Sequence, residues 1–346
     1  MINPFFTIII PIYNNISFIS ASIKSLLQQS FHDFEIILID DGSTDGSYEL
    51  CKKFLVNKSS ITLLHQPNSG AGSARNLGLE HAKGEYICFF DIDDKVRSDW
   101  LENIYKLVNQ RFPELIVYSY REINPALKTK TSLIFKDRFY ENNDSIKETY
   151  VSELSGVKFN NGFVWNKVYR RELLINKNIK FPSLRIQQDE VFNHEVYKNA
   201  NSLLTSSEIL YDYYVYDKGN TRNSYIPERL KIFEEVKSSF FAIINYWQLK
   251  NSFLDLYIHS RFVRNSIYNR NPFSLKHYKS YIKNLISNYS LNESALFLLD
   301  NSKEFSRIEK LFLQAIAKKS ILLFLLADFS HISVSKAKAL YHKMKN

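Results

Sequence analysis

The N-terminal stretch of the chain alternates between apolar runs and segments of helical periodicity, and this rhythm limits the fold more than any other feature. The run FFTIIIPIY suits a strand covered on both faces, and Ile19, Ile23, Leu26 and Leu27 then recur at helical spacing. FEIILID predicts a second buried strand, SYELCKKFL a second helix, ITLLH a third strand, AGSARNLGLEHA a third helix and YICFFDID a fourth strand. Strand and helix in strict succession predict an α/β fold, a mainly parallel central sheet with helices on both faces. Beyond residue 120 the rhythm loosens into short mixed elements, with LYDYYVY at 210–216 as a further strand. From residue 228 the pattern is helical, over 228–249, 254–270, 275–287 and 303–327. The expected organisation is therefore an α/β domain at 1–227, with halves at 1–120 and 121–227, followed by a helical C-terminal region at 228–346.

Composition narrows the class. A chain of 346 residues, 45% of them hydrophobic, is long enough to bury a substantial core. Its two cysteines, Cys51 and Cys88, are too few for a disulfide framework or a cysteine metal site, and both read as reduced core residues of a cytoplasmic protein. The N-terminus has no basic region of a signal peptide, and no stretch reaches the roughly 18 apolar residues of a spanning helix. Charge is divided unevenly: residues 1–227 carry 26 Lys and Arg against 27 Asp and Glu, whereas 228–346 carry 19 against 9. The basic excess belongs to the helical tail.

In an open parallel sheet, ligands bind beyond the carboxyl ends of the strands. Strand one ends at Pro11, Ile12, Tyr13 and Asn14, strand two at Asp40 and Asp41, and strand four at Asp91, Asp93 and Asp94, so all three deliver their last residues to one edge. Crowded carboxylates raise each other's pKa unless a cation or hydrogen-bond donors sit among them. Oxygen ligands without nearby histidine or cysteine suit Mg2+ or Mn2+, held by one or two carboxylates together with substrate phosphates. A metal and a diphosphate are the expected ligands of this edge.

Four segments in this order, TIIIPIYNN, IILIDDGSTDGS, NSGAGSARNLGL and GEYICFFDIDD, resemble the nucleotide-sugar-binding half of the family 2 glycosyltransferases of GT-A (Rossmann-like) fold. VWNKVYRRELL, QQDEVFNHEVY and YDYYVYDKGNTRNS resemble segments of the members that build bacterial surface polysaccharides, such as capsule or lipopolysaccharide. The resemblance covers about the first two thirds of the chain. It implies an inverting transfer from a nucleotide-sugar donor, a UDP-sugar first, to a glycan or lipid-linked glycan acceptor. It sets Pro11 and Tyr13 against the nucleotide base, Asp41 on the uracil ring, and Asn68 and Arg75 near the nucleotide and its phosphates. Asp91 and Asp93 correspond to the outer acids of the DxD motif, Asp91 near the ribose and Asp93 as metal ligand. Asp189 takes the place of the general base. Gln187 and Gln188 stand where relatives carry Gly-Glu, so Glu190 is the rival base; helix capping competes with catalysis for the Asp189 oxygens.

Other residues carry two readings each. Trp165, Asn166 and Lys167 either shape the acceptor side or lie in the core; Arg222 either clamps the diphosphate or is solvated; His194 is a metal ligand or an ordinary, partly buried histidine. GAGSARNLG lacks the Gly-Lys-Ser/Thr end of a Walker loop and follows the third strand, not the first as a dinucleotide fingerprint would. The basic tail either packs on itself or forms a homodimer, or lies on the inner face of the cytoplasmic membrane as a peripheral contact. No nucleic-acid-binding motif accompanies its charge. A metal-dependent nucleotidyltransferase would carry a basic glycine-rich loop where this chain has PIYNN. A non-catalytic nucleotide-sugar-binding partner would lose Asp93 or the base.

Overall fold

The computed structural model describes residues 3–56, 59–150, 162–216, 226–249, 252–267, 275–301, 306–324 and 326–327. They fall into two compact units, Met1–Asn220 and Thr221–Asn346.

Unit 1 begins with the expected alternation: β1 (Phe6–Ile12), α1 (Ile16–Leu27), β2 (Phe34–Asp40), α2 (Ser47–Leu55), β3 (Ile61–His65), α3 (Ala71–His81) and β4 (Tyr86–Phe89). It continues through α4 (Trp100–Arg111), β5 (Leu115–Asn124), β6 (Thr129–Leu133), β7 (Arg138–Tyr140), α5 (Asn143–Thr149), β8 (Lys167–Arg170), α6 (Arg171–Asn176), α7 (Gln188–Asn199) and β9 (Leu203–Tyr214). One nine-stranded sheet runs β3-β2-β1-β4-β8-β5-β9-β7, with β6 paired to β5. The β3-β2-β1-β4 block is parallel, whereas β8 joins antiparallel to both β4 and β5 and makes the second half mixed. Ile8, Ile9 and Ile10 of β1 are fully buried, each stabilising the fold by roughly 1.5–3 kcal/mol, which explains why β1 alternates no polar face. Cys51 and Cys88 lie in this interior with their thiols pushed up by burial, Cys51 to about 12.

Strand order reverses beside β1, since β2 follows on one side and β4 on the other, so the crevice at a topological switch point opens where β1, β2 and β4 end. The expected strand YICFFDID is shorter than its apolar run: β4 stops at Phe89, and the acids fall in a turn closed by the Asp94 amide donating to Asp91 O at 3.0 Å. The strand expected at 210–216 is the end of a longer one, β9.

Unit 2 contains α8 (Arg229–Tyr246), α9 (Ser252–Ile267), α10 (Leu275–Ser287), α11 (Tyr289–Asn301) and α12 (Arg307–Ala317). Helix α11 went unassigned from sequence, and the helix expected over 303–327 breaks after Ala317, where Lys319 adopts φ 51° before helix resumes at 321. The apolar face of α12, Phe312, Leu313, Ala315 and Ile316, is buried, and α12 packs on α10 and α11. Lys237 Nζ donates to Ser290 Oγ at 3.0 Å and Ser294 Oγ at 2.8 Å, and His259 Nδ1 lies 2.9 Å from Ser294 Oγ. Among the described residues no helix is long and apolar enough to cross a membrane.

Candidate active site

Two loops at the ends of β1 and β2 are laced together by short polar side chains. Asn14, at φ 51°, accepts from the Thr44 amide at 2.8 Å and gives its own amide to Ser43 Oγ at 3.0 Å. The Ile16 amide donates to Asp45 Oδ2 at 3.1 Å. Pro11 at the strand end is partly exposed and Tyr13 is 47% exposed, which leaves its ring free for a planar ligand.

The paired acids that end β2 have different work. Asp40 is fully buried; its Oδ2 lies 2.9 Å from His65 Nδ1 and accepts from the Ser43 amide at 3.2 Å. Asp41 accepts from Gln66 Nε2 at 2.7 Å and from the Ser69 and Gly70 amides at 2.8 Å each, and so folds the 66–70 loop over the strand edge. Gly42 is required beneath that loop: its φ is +76°, and a Cβ would sit 2.7 Å from the Asn68 nitrogen. Asn68 itself is exposed at the rim.

The three acids after β4 separate into three roles. Asp94 is 1% exposed and structural: its Oδ1 accepts from the Tyr214 amide at 2.8 Å and its Oδ2 from the Tyr211 hydroxyl at 3.0 Å, which ties the turn to β9. Burial, then Asp91 and Asp93, raise its pKa well above the usual carboxylate range. Asp91 is 28% exposed in its side chain and accepts from Arg75 Nη2 at 2.9 Å. Asp93 is pushed up to about 6 by burial and then by Asp91, and none of the described side chains donates a hydrogen bond to it.

Asp189 arrives from the other half of the unit. Gln187, held at φ 63°, opens α7, and no side chain caps that end, so the capping role weighed for Asp189 is not the one it plays. Its Oδ1 instead accepts from Arg75 Nη1 at 2.7 Å, and the carboxylate remains 20% exposed. Burial raises the Asp189 pKa, opposed by Arg75 and, less strongly, Lys167. For Arg75, burial works against the charge, but Asp189 and Asp91 outweigh it and raise its pKa. One face of α3 makes this meeting: a Cβ on Gly72 would press within 3.2 Å of Gln188 Cγ and Pro182 O, while Asn76 exchanges two hydrogen bonds with the Phe181 backbone, both 2.9 Å. Sequence reasoning did not foresee that Arg75 joins an acid of the strand edge to the acid of α7.

The residues expected on the acceptor side are placed otherwise. Trp165 is a core residue, 1% exposed, stacked on Tyr211 at 4.7 Å and Tyr213 at 5.0 Å, with Tyr120 edge-on at 4.7 Å. Asn166 and Lys167 have no exposed surface; Lys167 Nζ donates to Phe163 O at 2.6 Å and Asn166 Oδ1 at 2.9 Å, and burial lowers its pKa well below the usual value. These three side chains are closed into the interior because β9 supplies aromatic partners distant in sequence for Trp165, while the adjoining turn supplies the carbonyl that holds Lys167. Glu190 and His194 are both buried on α7, at 9% and 4% exposure, which favours Asp189 as the acid open to a substrate. Arg222 lies outside the described residues.

Among the described residues no cluster of three or more His, Cys, Asp or Glu side chains holds a metal by itself. The donor set fits a different arrangement: Asp93, a crowded carboxylate with a raised pKa, suits a hard divalent ion that completes its shell with phosphate oxygens and water.

A parallel switch-point sheet with acids at the edge where its strands end, and a further acid brought alongside from a mixed half, defines a doubly wound α/β protein with a ligand crevice at that edge. Residues 7–178 match the sequence profile of Glycosyl transferase family 2. The chain is 30% identical over 211 residues to the glycosyltransferase GlyG of Streptococcus pneumoniae, covering 60% of this chain and 69% of GlyG. It is also 30% identical over 210 residues to GlyA of the same organism, covering 60% of this chain and only 30% of GlyA. The structure of Staphylococcus aureus TarS 1–349 in complex with UDP-GlcNAc superposes with a TM-score of 0.68 at 20% identity, covering 95% of this chain and 91% of that one. The chain belongs to glycosyltransferase family 2, and its fold is GT-A.

Proposed function

We propose that the protein is an inverting glycosyltransferase that moves a sugar from a UDP-sugar to a hydroxyl of a bacterial cell-surface glycan. The observation that carries this reading is the convergence, through one guanidinium, of Asp91 at the donor edge and Asp189 on α7. The UDP-GlcNAc bound by TarS, which shares the fold, makes that nucleotide sugar the first donor to test.

In this reading Pro11, Tyr13 and Asn68 border the nucleotide base and Asp41 accepts from the uracil N–H, sharing oxygens that now hold the 66–70 loop. Asp91 lies at the ribose, and Asp93 would hold Mg2+ or Mn2+. The chemistry such an ion supplies when bound is neutralisation of the charge on the departing diphosphate. Asp189 accepts the proton of the acceptor hydroxyl as its oxygen bonds to the anomeric carbon and the bond from that carbon to the nucleoside diphosphate breaks. One base and one direct displacement invert the anomeric configuration. The acceptor side belongs to residues 121–227, and the enzyme works in the cytoplasm, where the net positive charge of 228–346 would draw it toward an anionic membrane face that carries lipid-linked acceptors.

The test is calorimetric titration with UDP-, GDP-, CMP- and dTDP-sugars, with and without Mn2+, on the wild type and Asp93→Ala. Mn2+-dependent binding of a UDP-sugar that the substitution removes is the expected result. Binding of no donor, or binding indifferent to Mn2+ and to Asp93, would overturn the reading.

A further inference from the structure

Arg75 matches a position near the donor phosphates, yet its side chain is only 4% exposed and both terminal nitrogens are occupied, Nη1 by Asp189 and Nη2 by Asp91. A guanidinium is a rigid planar fork, so neither contact can shift without moving the other. Helix α3 carries this fork between two sites. Just before its first turn the Ser69 and Gly70 amides hold Asp41, and along one face Gly72, Arg75 and Asn76 receive Gln188, Asp189 and the Phe181 backbone. The three positions follow i, i+3, i+4 spacing, which puts them on one side of the helix.

We propose that Arg75 is a positioning residue for the base: it fixes one oxygen of Asp189, leaves the other for the acceptor hydroxyl, and through α3 makes the setting of the base depend on the donor edge. This rests on the assignment of Asp189 as base. The titratable groups facing Asp189 are Arg75 from α3, Asp91 from the turn after β4, and Lys167 and Tyr169 from β8. Arg75 favours the ionised form able to take a proton, while burial and Asp91 oppose it. Removing the guanidinium therefore moves the Asp189 titration to higher pH and frees the carboxylate to rotate. A phosphate ligand at this position would act differently, on donor affinity.

The experiment follows the Asp189 carboxyl by carbon-13 NMR in full-length protein labelled at aspartate Cγ, assigned with Asp189→Asn, in the wild type, Arg75→Gln and Arg75→Lys. UDP affinity is measured by calorimetry with Mn2+ on the same proteins. UDP-GlcNAc hydrolysis, with water as acceptor, gives kcat and KM against pH. In Arg75→Gln the Asp189 titration moves to higher pH, the acidic limb of kcat follows it, kcat falls by about 100-fold, and KM and UDP affinity stay within about threefold. Arg75→Lys restores the charge but cannot bridge both carboxylates, so the titration returns toward wild type while kcat stays about tenfold low. If Arg75→Gln fails to fold, the lysine variant decides through the same split. An unmoved Asp189 titration, or a loss of UDP affinity above tenfold with kcat retained, overturns the proposal. Should the wild type bind no UDP, the proposed function fails, while the Asp189 titration still decides the link to Arg75.

Discussion

Both units bury ionisable groups, but the charge closes in one and not in the other. In unit 2, Lys237 is satisfied by Ser290 and Ser294, and His259 lies beside Ser294 with its ring 4.4 Å from Phe297. Burial lowers the pKa of both, His259 to about 4 with Lys237 adding to the shift, while Glu293 faces both groups and Glu234 faces Lys237, so the cation has its answering charge on the chain. In unit 1, Asp91 and Asp189 meet on Arg75, Asp93 and Asp94 crowd Asp91, and burial lowers the Lys167 pKa, so four carboxyls stand against a single paired guanidinium. Shifted groups therefore mark function only where partners on the chain leave charge unanswered. By this criterion the unit 2 cluster reads as structural, and the unit 1 cluster is the one that the proposed cation and acceptor hydroxyl would complete.

Substitutions that strike the two clusters should separate turnover from stability. The largest effect is expected from Asp189→Asn, a loss of about 1,000-fold in sugar transfer with a thermal midpoint close to wild type, measured by UDP release and calorimetry. Asp93→Ala follows, with about 100-fold lower turnover and loss of the Mn2+ response of UDP binding. If either variant instead melts early with its activity per folded molecule intact, the unit 1 acids are structural and the contrast collapses.

Unit 2 should respond in the opposite sense. An unfolded histidine titrates near about 6.5, and His259 in the fold near about 4. Between these values the unfolded chain takes up a proton that the folded one refuses, so the contribution to stability is full above pH 6.5 and is lost as pH falls toward 4. Urea unfolding should show the wild type losing about 2 kcal/mol more than His259→Gln across this window, after allowance for partial exposure. Ser306→Ala is the smallest change: it removes the capping box with Glu309 that opens α12 and costs about 1 kcal/mol, with kcat unchanged. A fall in kcat for either unit 2 variant would sharpen the question of what the helical region does for the reaction.

How much of this was legible in the sequence depended on the range of the interaction. β1 and β2 were readable because strands buried on both faces are written as local apolar runs, and the convergence at their ends followed from a topological rule. Helix α11 was missed although Leu291, Ala295 and Leu298 keep a helical spacing, because Asn292, Glu293 and Ser294 between them dilute the pattern. Trp165 carried even readings because its stacking partners, Tyr211 and Tyr213, come from a strand distant in sequence. Asp94 stood at the strand end with no role of its own in the sequence, because the β9 groups that claim its two oxygens lie 117 and 120 positions away. The Arg75–Asp189 contact spans 114 positions, and no local pattern encodes it.

The docking of α7 on α3 also bears on how such enzymes can be recombined. Asn76, Gly72 and Arg75 belong to the first half of unit 1, yet each is shaped to residues 181–189 of the second. A chimera that imports residues 121–216 from a relative, to change which acceptor is used, inherits a new counterpart for each of these three positions. Grafts that keep a small residue opposite position 72, an acid opposite 75 and a free backbone amide and carbonyl opposite 76 should yield working hybrids. Grafts that break any one of the three should fold and bind donor while failing to transfer, so the seam to respect in such engineering is one helix face, not the boundary between the halves.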